Sequence, residues 1–307
     1  MDHDEPRVVV ITATKFFKYV RLTGWITGDQ LNAISVIDPH AEHLKTDLDF
    51  VHPHYGEAQE ARGFCVEIFR SSDDSDRDIE IEFVGLSGWS HKSSFLALAR
   101  MGKLRDATAV LNRRFRERLE KMEKPAVLDV GGRNRSEIDR RELFPGTNYI
   151  VLDILPGENV DIVGDAHELS RYVADSTIDA VVSTAVFEHL AMPWKVVLEL
   201  NKVLKDGGIG FIHTHQTIGL HEFPWDFWRF SDTAWDALFN ESTGFRIIDR
   251  CIDGPQFIVP HFYARENKGF ERAAGFESSA VFVEKIGQAR LEWPVSVKDI
   301  TGTMYPR

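Results

Sequence analysis

The sequence predicts an α/β protein in which a smaller all-β domain precedes a domain built on a mostly parallel sheet. From Pro125 onward, apolar strand-like runs alternate with helical stretches, a pattern typical of a parallel sheet covered by helices on both faces. Residues 8–90 instead contain short β-rich runs separated by turn formers. At 307 residues the chain is long enough for two domains.

The N-terminal domain is expected to be a β-sandwich over residues 1–90. Its candidate strands are VVVITAT, RLTGWIT, NAISVID, GFCVEIFR and DIEIEFVGLSG. CVEIF and IEIEF alternate apolar and polar residues, as strands with one solvated face do. Gly28-Asp29 and the acidic tract SSDDSD separate the runs, so an antiparallel arrangement is predicted.

Residues 91–123 are expected to form a helical linker. Apolar residues from Phe95 to Leu119 fall close to helical spacing, with an interruption around Gly102. The charge also changes sign, since residues 1–90 carry 8 basic and 17 acidic side chains and residues 91–124 carry 10 and 4. Mixed Arg and Glu in RRFRERLEKMEK indicate a solvated helix with i,i+4 pairs, which we favour over a membrane or RNA contact.

The overall composition excludes several classes of function. Lys and Arg total 36 against 48 Asp and Glu, and the net charge of −12 disfavours nucleic acid and anionic membranes as partners. Cys65 and Cys251 are too few for a disulfide framework or a zinc cluster. Acids precede the first apolar run and no apolar stretch reaches about 18 residues, so we expect a cytoplasmic protein without membrane insertion. The oligomeric state is not predicted.

The chemistry is expected in residues 124–307, at the carboxyl ends of the parallel strands. AVLDVGG predicts a strand and a tight turn at Gly131 and Gly132, which should open a helix. Arg133 and Arg135 follow, so the three-glycine pattern of dinucleotide sites is not met, which weakens a nicotinamide or flavin interpretation. Asp129 precedes the glycines, and either caps loop amides or receives the ammonium group of an amino-acid ligand.

Further acids follow the next predicted strands. NYIVLDI ends in Asp153, 24 positions after Asp129, where an acid can accept both ribose hydroxyls of a nucleoside. VDIVGDAHEL offers Asp165 as an acceptor for an adenine amino group, and IDAVVSTAVFEHL supplies Ser183 and a Phe-Glu-His turn. Each acid alone fits a surface position, but their order beside successive strand ends predicts a nucleoside cleft.

Together with LKDGGIGFIHTH and WDFWRFS, these motifs resemble the class I S-adenosylmethionine-dependent methyltransferases of type 11, in the branch that modifies small metabolites and glycans. The resemblance spans about residues 124–286. It implies a Rossmann-like seven-stranded sheet whose antiparallel final strand is SSAVFVEKI, with S-adenosyl-L-methionine as the cofactor. The implied cofactor-binding residues are Asp129, Gly131, Gly132, Arg133, Asp153, Ile154, Asp165, Ala166, Ser183 and Phe187.

The resemblance also assigns parts of the cofactor to these residues. The turn from Asp129 to Gly132 should meet the methionine end, Asp153 the ribose and 165–166 the adenine, while Ser183 and Phe187 should border the sulfonium. The family carries three glycines at alternate positions after the acid, and of these three positions only Gly131 is a glycine in this sequence.

Some hydroxyl-methylating relatives carry a metal on two carboxylates and a histidine. Glu188 and His189 match that pattern, but Ala185 stands where the first acid would be, so the sequence predicts no metal.

The segment HTHQTIGLHEFPWDFWRFS is the predicted substrate side. A hydroxyl acceptor must lose its proton during methyl transfer, and a histidine at a strand end can act as the base. His215 is the first choice, His189 the second and His221 the third. The candidate sugar-binding residues are Trp225, Asp226, Trp228 and Arg229. The alternative for these four is a packed lid in which the aspartate and arginine pair with each other.

The predicted function is an O-methyltransferase acting on a hydroxyl of a sugar or polysaccharide, such as a cell-surface glycan intermediate. The N-terminal module resembles the small β-sandwiches of glycan-synthesis enzymes at Gly24-Trp25, His52-Pro53 and Gly63-Phe64, which implies contact with the glycan or with a glycosyltransferase. A stability or dimerisation domain is the alternative. For the whole chain, the alternatives are a catalytically degenerate scaffold in a glycan assembly complex and an NAD-dependent oxidoreductase.

Overall fold

In a computed structural model, the chain forms two compact units. The structure describes residues 6–16, 18–51, 62–72, 79–101, 107–134, 139–256 and 275–301. The first unit contains the described residues up to Met101, and the second contains those from Ala107 onward. His52-Pro53, which contributed to the resemblance of the N-terminal module, lies outside the described residues.

The first unit consists of two antiparallel sheets and a short helix. Its elements are β1 (Arg7–Phe16), β2 (Tyr19–Thr27), β3 (Leu31–Ile37), β4 (Ala41–Val51), β5 (Arg62–Arg70), β6 (Glu80–Gly85), β7 (Ser90–Ser94) and α1 (Phe95–Met101). One sheet has the order β1-β2-β5-β4 and the other has the order β3-β6-β7. All neighbouring strands in both sheets are antiparallel, as predicted.

Both sheets of the first unit bury side chains in one hydrophobic core. Val66 and Phe64 of β5 and Phe83 of β6 are fully buried, and the two phenylalanine rings lie 5.0 Å apart. Along β6 the buried positions alternate with partly exposed ones, because successive side chains of a strand point to opposite faces. The all-β character of this unit is therefore observed, while its description as a sandwich stays a prediction.

Strand β4 was not predicted, because its sequence is polar. It pairs with β5 at the edge of its sheet, and almost all of its described side chains are at least partly exposed. Glu42, Lys45, Asp47 and Asp49 give it the charges that edge strands commonly carry against edge-to-edge association. Such a strand has no buried face for an apolar pattern to reveal.

The second unit is built on a seven-stranded sheet. Its elements are α2 (Ala107–Leu119), β8 (Ala126–Val130), β9 (Asn148–Asp153), β10 (Ile162–Val163), β11 (Ile178–Thr184), α3 (Pro193–Val203), β12 (Leu204–His215), α4 (Ala234–Leu238), β13 (Phe245–Gln256), β14 (Gly275–Lys285) and α5 (Val297–Thr301). The strand order is β10-β9-β8-β11-β12-β14-β13. The first five strands in this order are parallel, and β14 runs antiparallel to both of its neighbours. The predicted seven-stranded sheet with SSAVFVEKI as its antiparallel strand is confirmed.

The central strands are apolar on both faces because the sheet is covered on both sides. Leu128 and Val181 lie in the core shared with α3, while Val127 and Ala180 lie in the core shared with α2. Fully buried faces of this kind produce the continuous apolar runs by which the strands were recognised. No helix in the described part of the chain has both the length and the apolar character that crossing a bilayer requires.

The stretch 91–123, expected as a linker, is divided between the two units. Its first part completes β7 and forms α1, whose Phe95 and Leu98 are buried in the core of the first unit. Helix α2 instead covers the seven-stranded sheet, where Phe115 is fully buried 5.7 Å from the ring of Phe282. Its apolar stripe therefore serves the packing of the second unit.

Two helical segments of the second unit differ in length. Helix α3 has 11 residues, and Pro193 occupies its first turn, where a missing N–H costs nothing. The helix expected after the glycine turn appears, within the described residues, as a single 3-10 turn at Arg140–Leu143. Asp139 caps this turn by accepting a hydrogen bond from the amide of Arg141 at 2.9 Å.

Asn240 caps the 3-10 turn Glu241–Thr243, and we expect Asn240→Ala to lower the free energy of unfolding by about 1 kcal/mol. Its side-chain oxygen accepts hydrogen bonds from the amides of Ser242 (3.0 Å) and Thr243 (3.3 Å), which alanine leaves unpaired. Urea denaturation measures the change. Ser242→Ala is the control, because it keeps the capped amide. Equal effects of the two substitutions would contradict the capping role.

Candidate functional site

A cleft of about 360 Å³ opens at the carboxyl ends of the parallel strands. Its walls come from the loop after β8, from residues 153–155 after β9, from residues 184–186 after β11 and from His215 at the end of β12. This is the edge of an open α/β sheet where ligands bind. The cleft therefore lies where the sequence predicted the chemistry.

The glycine turn after β8 is closely packed. Gly131 has a φ of +77°, its N–H donates to the carbonyl of Leu152 at 2.7 Å, and it lines the cleft. A Cβ at Gly131 would lie 2.2 Å from Cγ2 of Val186, and one at Gly132 would lie 2.3 Å from Oδ2 of Asp129. Both positions therefore require glycine, Gly131 for its backbone conformation as well as for space.

Asp129 lies fully buried beneath this turn and is not among the cleft-lining residues. Tyr149 donates its hydroxyl to Oδ2 at 2.8 Å, and Arg140 Nη1 lies 3.3 Å from Oδ1. Burial raises the pKa of this carboxyl, an effect that Arg140 and Tyr149 partly offset. Among the described residues, the hydrogen-bond partners of Asp129 are these two side chains, so neither capping of loop amides nor contact with a ligand is seen.

Asp153 lines the cleft at the end of β9, as predicted, and so does Ile154. Its Oδ1 accepts the amide of Leu155 at 2.9 Å and its Oδ2 accepts the amide of Arg133 at 3.3 Å, which fixes the carboxylate. Each carboxylate oxygen has a second acceptor position, so both oxygens can still accept a ligand hydroxyl.

Arg133 stands where the family has a glycine, and its side chain turns back onto the acid. Its Nε lies 3.5 Å from Oδ1 of Asp153, and the side chain lines the cleft. A Cβ at Gly157 would lie 2.8 Å from Cγ of Arg133, so the glycine at 157 leaves the space that this arginine occupies. The turn thus tolerates Arg133 because another glycine compensates for it.

Asp165 does not line the cleft, although its neighbours Gly164 and Ala166 do. Its Oδ1 accepts the amide of His167 at 2.9 Å and lies 2.7 Å from Nδ1 of the same residue. Asp165 is therefore engaged as the cap of the 3-10 helix Ala166–Arg171. The structure brings Ala166, but not the carboxylate of Asp165, to the predicted adenine position.

Ser183 and Phe187, predicted beside the sulfonium, are both fully buried and do not line the cleft. Ser183 donates its hydroxyl to the carbonyl of Val130 at 3.0 Å, and Phe187 packs edge-on against Trp235 at 5.9 Å. The cleft is lined instead by residues that the sequence reasoning missed, among them Thr184, Ala185, Val186 and Leu190.

Four side chains form what we call the Glu188 cluster, namely Glu188, His189, His215 and His221. Glu188 is fully buried, its Oε2 accepts the hydroxyl of Thr214, and its Oε1 has no hydrogen-bond donor within the described residues. The Nε2 atoms of His215, His189 and His221 lie 3.4, 3.8 and 4.0 Å from Oε1. All three histidines line the cleft, so the three alternative bases of the sequence analysis converge on one carboxylate.

The hydrogen bonds of two of these rings fix their tautomers. His189 Nδ1 lies 2.8 Å from the carbonyl oxygen of Trp225, and His221 Nδ1 lies 3.1 Å from that of Gly219. Because a carbonyl only accepts, each Nδ1 carries the hydrogen, and in the neutral ring each Nε2 keeps a lone pair. His189 and His221 therefore direct lone pairs towards the unpartnered oxygen of Glu188.

The predicted sugar-binding group is mostly a packed lid. Arg229 pairs with both carboxylate oxygens of Asp226 at 2.6 and 2.7 Å, which holds the pKa of Asp226 far below its usual range. Trp228 donates its indole N–H to the carbonyl of Leu190 at 2.8 Å. Trp225 alone of the four lines the cleft, and its buried Nε1 has no hydrogen-bond partner in the described part of the chain.

Comparisons with known proteins agree on one class of domain. Residues 146–212 match the model of a family described as "Methyltransferase domain". Similar solved structures include a SAM-dependent methyltransferase from Archaeoglobus fulgidus (19% identity, 58% of this chain and 94% of that chain covered, TM-score 0.40). Another is the 1,6-didemethyltoxoflavin-N1-methyltransferase of Burkholderia thailandensis with bound S-adenosylhomocysteine (14% identity, 60% of this chain and 78% of that chain covered, TM-score 0.41).

A third similar structure is a putative sarcosine dimethylglycine methyltransferase from Galdieria sulphuraria (15% identity, 63% and 88% covered, TM-score 0.43). No curated protein matches the sequence. The matched residues 146–212 supply β9, β10, β11, α3 and most of β12, together with the turn that carries Glu188. This part of the chain is therefore similar to a methyltransferase domain, and the match supports S-adenosylmethionine as the cofactor.

Proposed function

We propose that the chain is an S-adenosylmethionine-dependent O-methyltransferase that acts on a hydroxyl of a sugar or polysaccharide. The observation that carries this proposal is one cleft that holds both the carboxylate of Asp153 and the histidines of the Glu188 cluster. The first suits a nucleoside and the second suits an acceptor that must lose a proton. Both lie in or beside the segment that matches the methyltransferase family.

The residues of the cleft fit the cofactor. Asp153 has acceptor capacity for the ribose hydroxyls, Ala166 offers a small apolar contact for the adenine, and Gly131 allows close approach of backbone to ligand. S-adenosylmethionine would supply a methyl group bonded to a positively charged sulfur. The net charge of −12 is compatible with a cationic ligand.

A hydroxyl acceptor explains the Glu188 cluster best. When the acceptor oxygen bonds to the methyl carbon, the carbon–sulfur bond breaks, its electron pair stays on sulfur, and the hydroxyl proton must leave. Carbon or nitrogen acceptors need no such help when their lone pair or carbanion is already available. Three histidines at the cleft wall can take up this proton, and the buried Glu188 behind them can offset the positive charge that results.

A sugar is the acceptor that the cleft wall favours. Trp225 lines the cleft, and an indole face stacks on the C–H groups of a sugar ring while its buried N–H can donate to a sugar oxygen. We further propose, from the resemblance of the N-terminal module, that the first unit binds the glycan or a glycosyltransferase. The residues proposed for the reaction all lie in the second unit.

Isothermal titration of the purified chain with S-adenosylmethionine, S-adenosylhomocysteine and NAD tests the cofactor. We expect micromolar binding of the first two and none of NAD. Binding of NAD alone would favour the oxidoreductase, and binding of none of the three would favour the scaffold. Transfer of a labelled methyl group to free glycans, with permethylated glycans as the control, then tests the acceptor class.

A further inference from the structure

The Glu188 cluster has the arrangement of a metal site, although the sequence predicted none. We propose that it binds one divalent first-row transition-metal ion through Glu188 Oε1 and the Nε2 atoms of His215 and His221, with His189 as a further ligand. The carboxylate oxygen and one ring nitrogen from each of His215 and His221 lie within 4.8 Å of one another. The ligands come from the turn after β11, the end of β12 and the loop that follows it.

The first argument is the unpartnered carboxylate oxygen. Glu188 is fully buried, and its Oε1 accepts no hydrogen bond in the described part of the chain. A buried charged oxygen needs a donor or a cation. The Nε2 atoms that face it from His189 and His221 carry lone pairs in the neutral rings, so they do not supply the missing donor. A metal ion satisfies all of these atoms at once.

The second argument is distance. Nitrogen and oxygen ligands bind Zn²⁺ at about 2.1 Å, so in a tetrahedral site they lie roughly 3.4 Å apart. His215 Nε2 is already 3.4 Å from Glu188 Oε1, and the Nε2 atoms of His189 and His221 are 3.8 and 4.0 Å from it. The ligand atoms of Glu188, His215 and His221 all lie within 4.8 Å of one another, so the widest gap among these three has to close by at most about 1.4 Å, and His189, which lies outside this set, has to turn towards them.

The third argument is the hydrogen bonding behind the ligands. His189 Nδ1 is held by the carbonyl of Trp225, His221 Nδ1 by that of Gly219, and Glu188 Oε2 by the hydroxyl of Thr214. Metal sites hold their ligands by this kind of outer hydrogen bond, which orients the ring and sets its tautomer. Here these bonds leave the inward atoms free to coordinate.

Asp226 offers an alternative ligand set with His189 and His221, which the observed contacts disfavour. Arg229 binds both of its oxygens, and the amide of His221 donates to Oδ2 at 3.0 Å. Asp226 is therefore already neutralised, whereas Glu188 has a free oxygen.

The ligand chemistry also restricts the identity of the ion. A set of imidazoles with one carboxylate suits Zn²⁺, Co²⁺, Mn²⁺ or Fe²⁺ rather than Mg²⁺ or Ca²⁺, which prefer oxygen ligands. With His189 unbound, an ion held by Glu188, His215 and His221 would have an open position for the acceptor hydroxyl and would make it more acidic, and this role rests on the proposed function. Binding of the ion does not rest on it.

Titration of the metal-stripped full chain with Zn²⁺ alone and with Co²⁺ alone tests the proposal. We expect one ion per chain with a Kd in the micromolar range or tighter, and a visible Co²⁺ absorption that reports its coordination. His221→Ala and Glu188→Gln should each weaken binding at least tenfold. His221 is partly exposed in a loop, so its replacement keeps the test valid even where the buried Glu188→Gln fails to fold. The exposed His43→Ala in the first unit is the matched control and should change nothing.

Two results would overturn the proposal. One is the absence of stoichiometric binding by the unmodified chain, and the other is binding by His221→Ala that equals that of the unmodified chain. Titration of each variant with S-adenosylhomocysteine separates the two proposals, because retained metal binding without cofactor binding would contradict the proposed function alone.

Discussion

Asp153→Ala is expected to weaken binding of S-adenosylhomocysteine by about 100-fold. The carboxylate lines the cleft while only 9% of the residue is exposed, and backbone amides already fix its orientation. A hydrogen bond to a charged group contributes about 1.5–3 kcal/mol, and loss of two ribose contacts by alanine corresponds to at least this factor. Isothermal titration measures the affinity directly.

Asp165→Ala is the matched control, because the sequence assigned Asp165 to the adenine whereas the structure uses it as a helix cap. We expect its affinity for S-adenosylhomocysteine to change less than about threefold, within the range of substitutions away from a site. Asp153→Asn keeps the shape of the side chain and one acceptor oxygen, so its affinity for S-adenosylhomocysteine should lie between those of Asp153→Ala and Asp165→Ala. Equal losses in Asp153→Ala and Asp165→Ala would show that the cleft is assigned wrongly.

The sheet of the second unit was predictable because burial on both faces leaves a strong signal. Strands β8, β9, β11 and β12 each contain an apolar run, and Asp153 was placed correctly because it directly follows such a run. Strand β13 gave no such signal, since FRIIDRCIDGPQ mixes apolar and charged residues at an edge of the sheet. Edge strands are recognised mainly through their partners, which a single sequence does not contain.

The cleft-lining residues next to Ser183 and Phe187 were missed because successive side chains of a strand point to opposite sides. Ser183 faces the carbonyl of Val130 in the interior, and the next residue, Thr184, lines the cleft. A shift of one position therefore exchanges a buried residue for a cleft residue. The same exchange occurs in the turn that follows, where Val186 lines the cleft and the next residue, Phe187, is buried in the core.

The Glu188 cluster could not be predicted as a cluster, because its members are too far apart in the chain to form a local sequence pattern. Its members lie at 188, 189, 215 and 221, and only their chemistry marked three of them as alternative bases. The metal pattern of the hydroxyl-methylating relatives requires an acid at the position of Ala185, three residues before Glu188. The structure instead completes the cluster with histidines from β12 and the loop after it.

Gly131→Ala is expected to lower the free energy of unfolding by about 2–5 kcal/mol. The φ of +77° costs an alanine about 1–2 kcal/mol, and forcing a methyl group against a packed neighbour costs about 1–3 kcal/mol. That neighbour is Val186, whose Cγ2 would lie 2.2 Å from the new Cβ. Urea denaturation followed by tryptophan fluorescence measures the loss, since five of the seven tryptophans lie in the second unit.

Gly146→Ala separates the two causes, because Gly146 has a φ of +78° but no atom within 4 Å of its added Cβ. It should lose only the conformational part, about 1–2 kcal/mol. In a chain that already carries Val186→Ala, Gly131→Ala should lower the free energy of unfolding only as much as Gly146→Ala does in the unmodified chain. If the full loss persists, contact with Val186 is not its cause. Because Gly131 and Val186 both line the cleft, Gly131→Ala should also weaken cofactor binding, whereas Gly146→Ala should leave it unchanged.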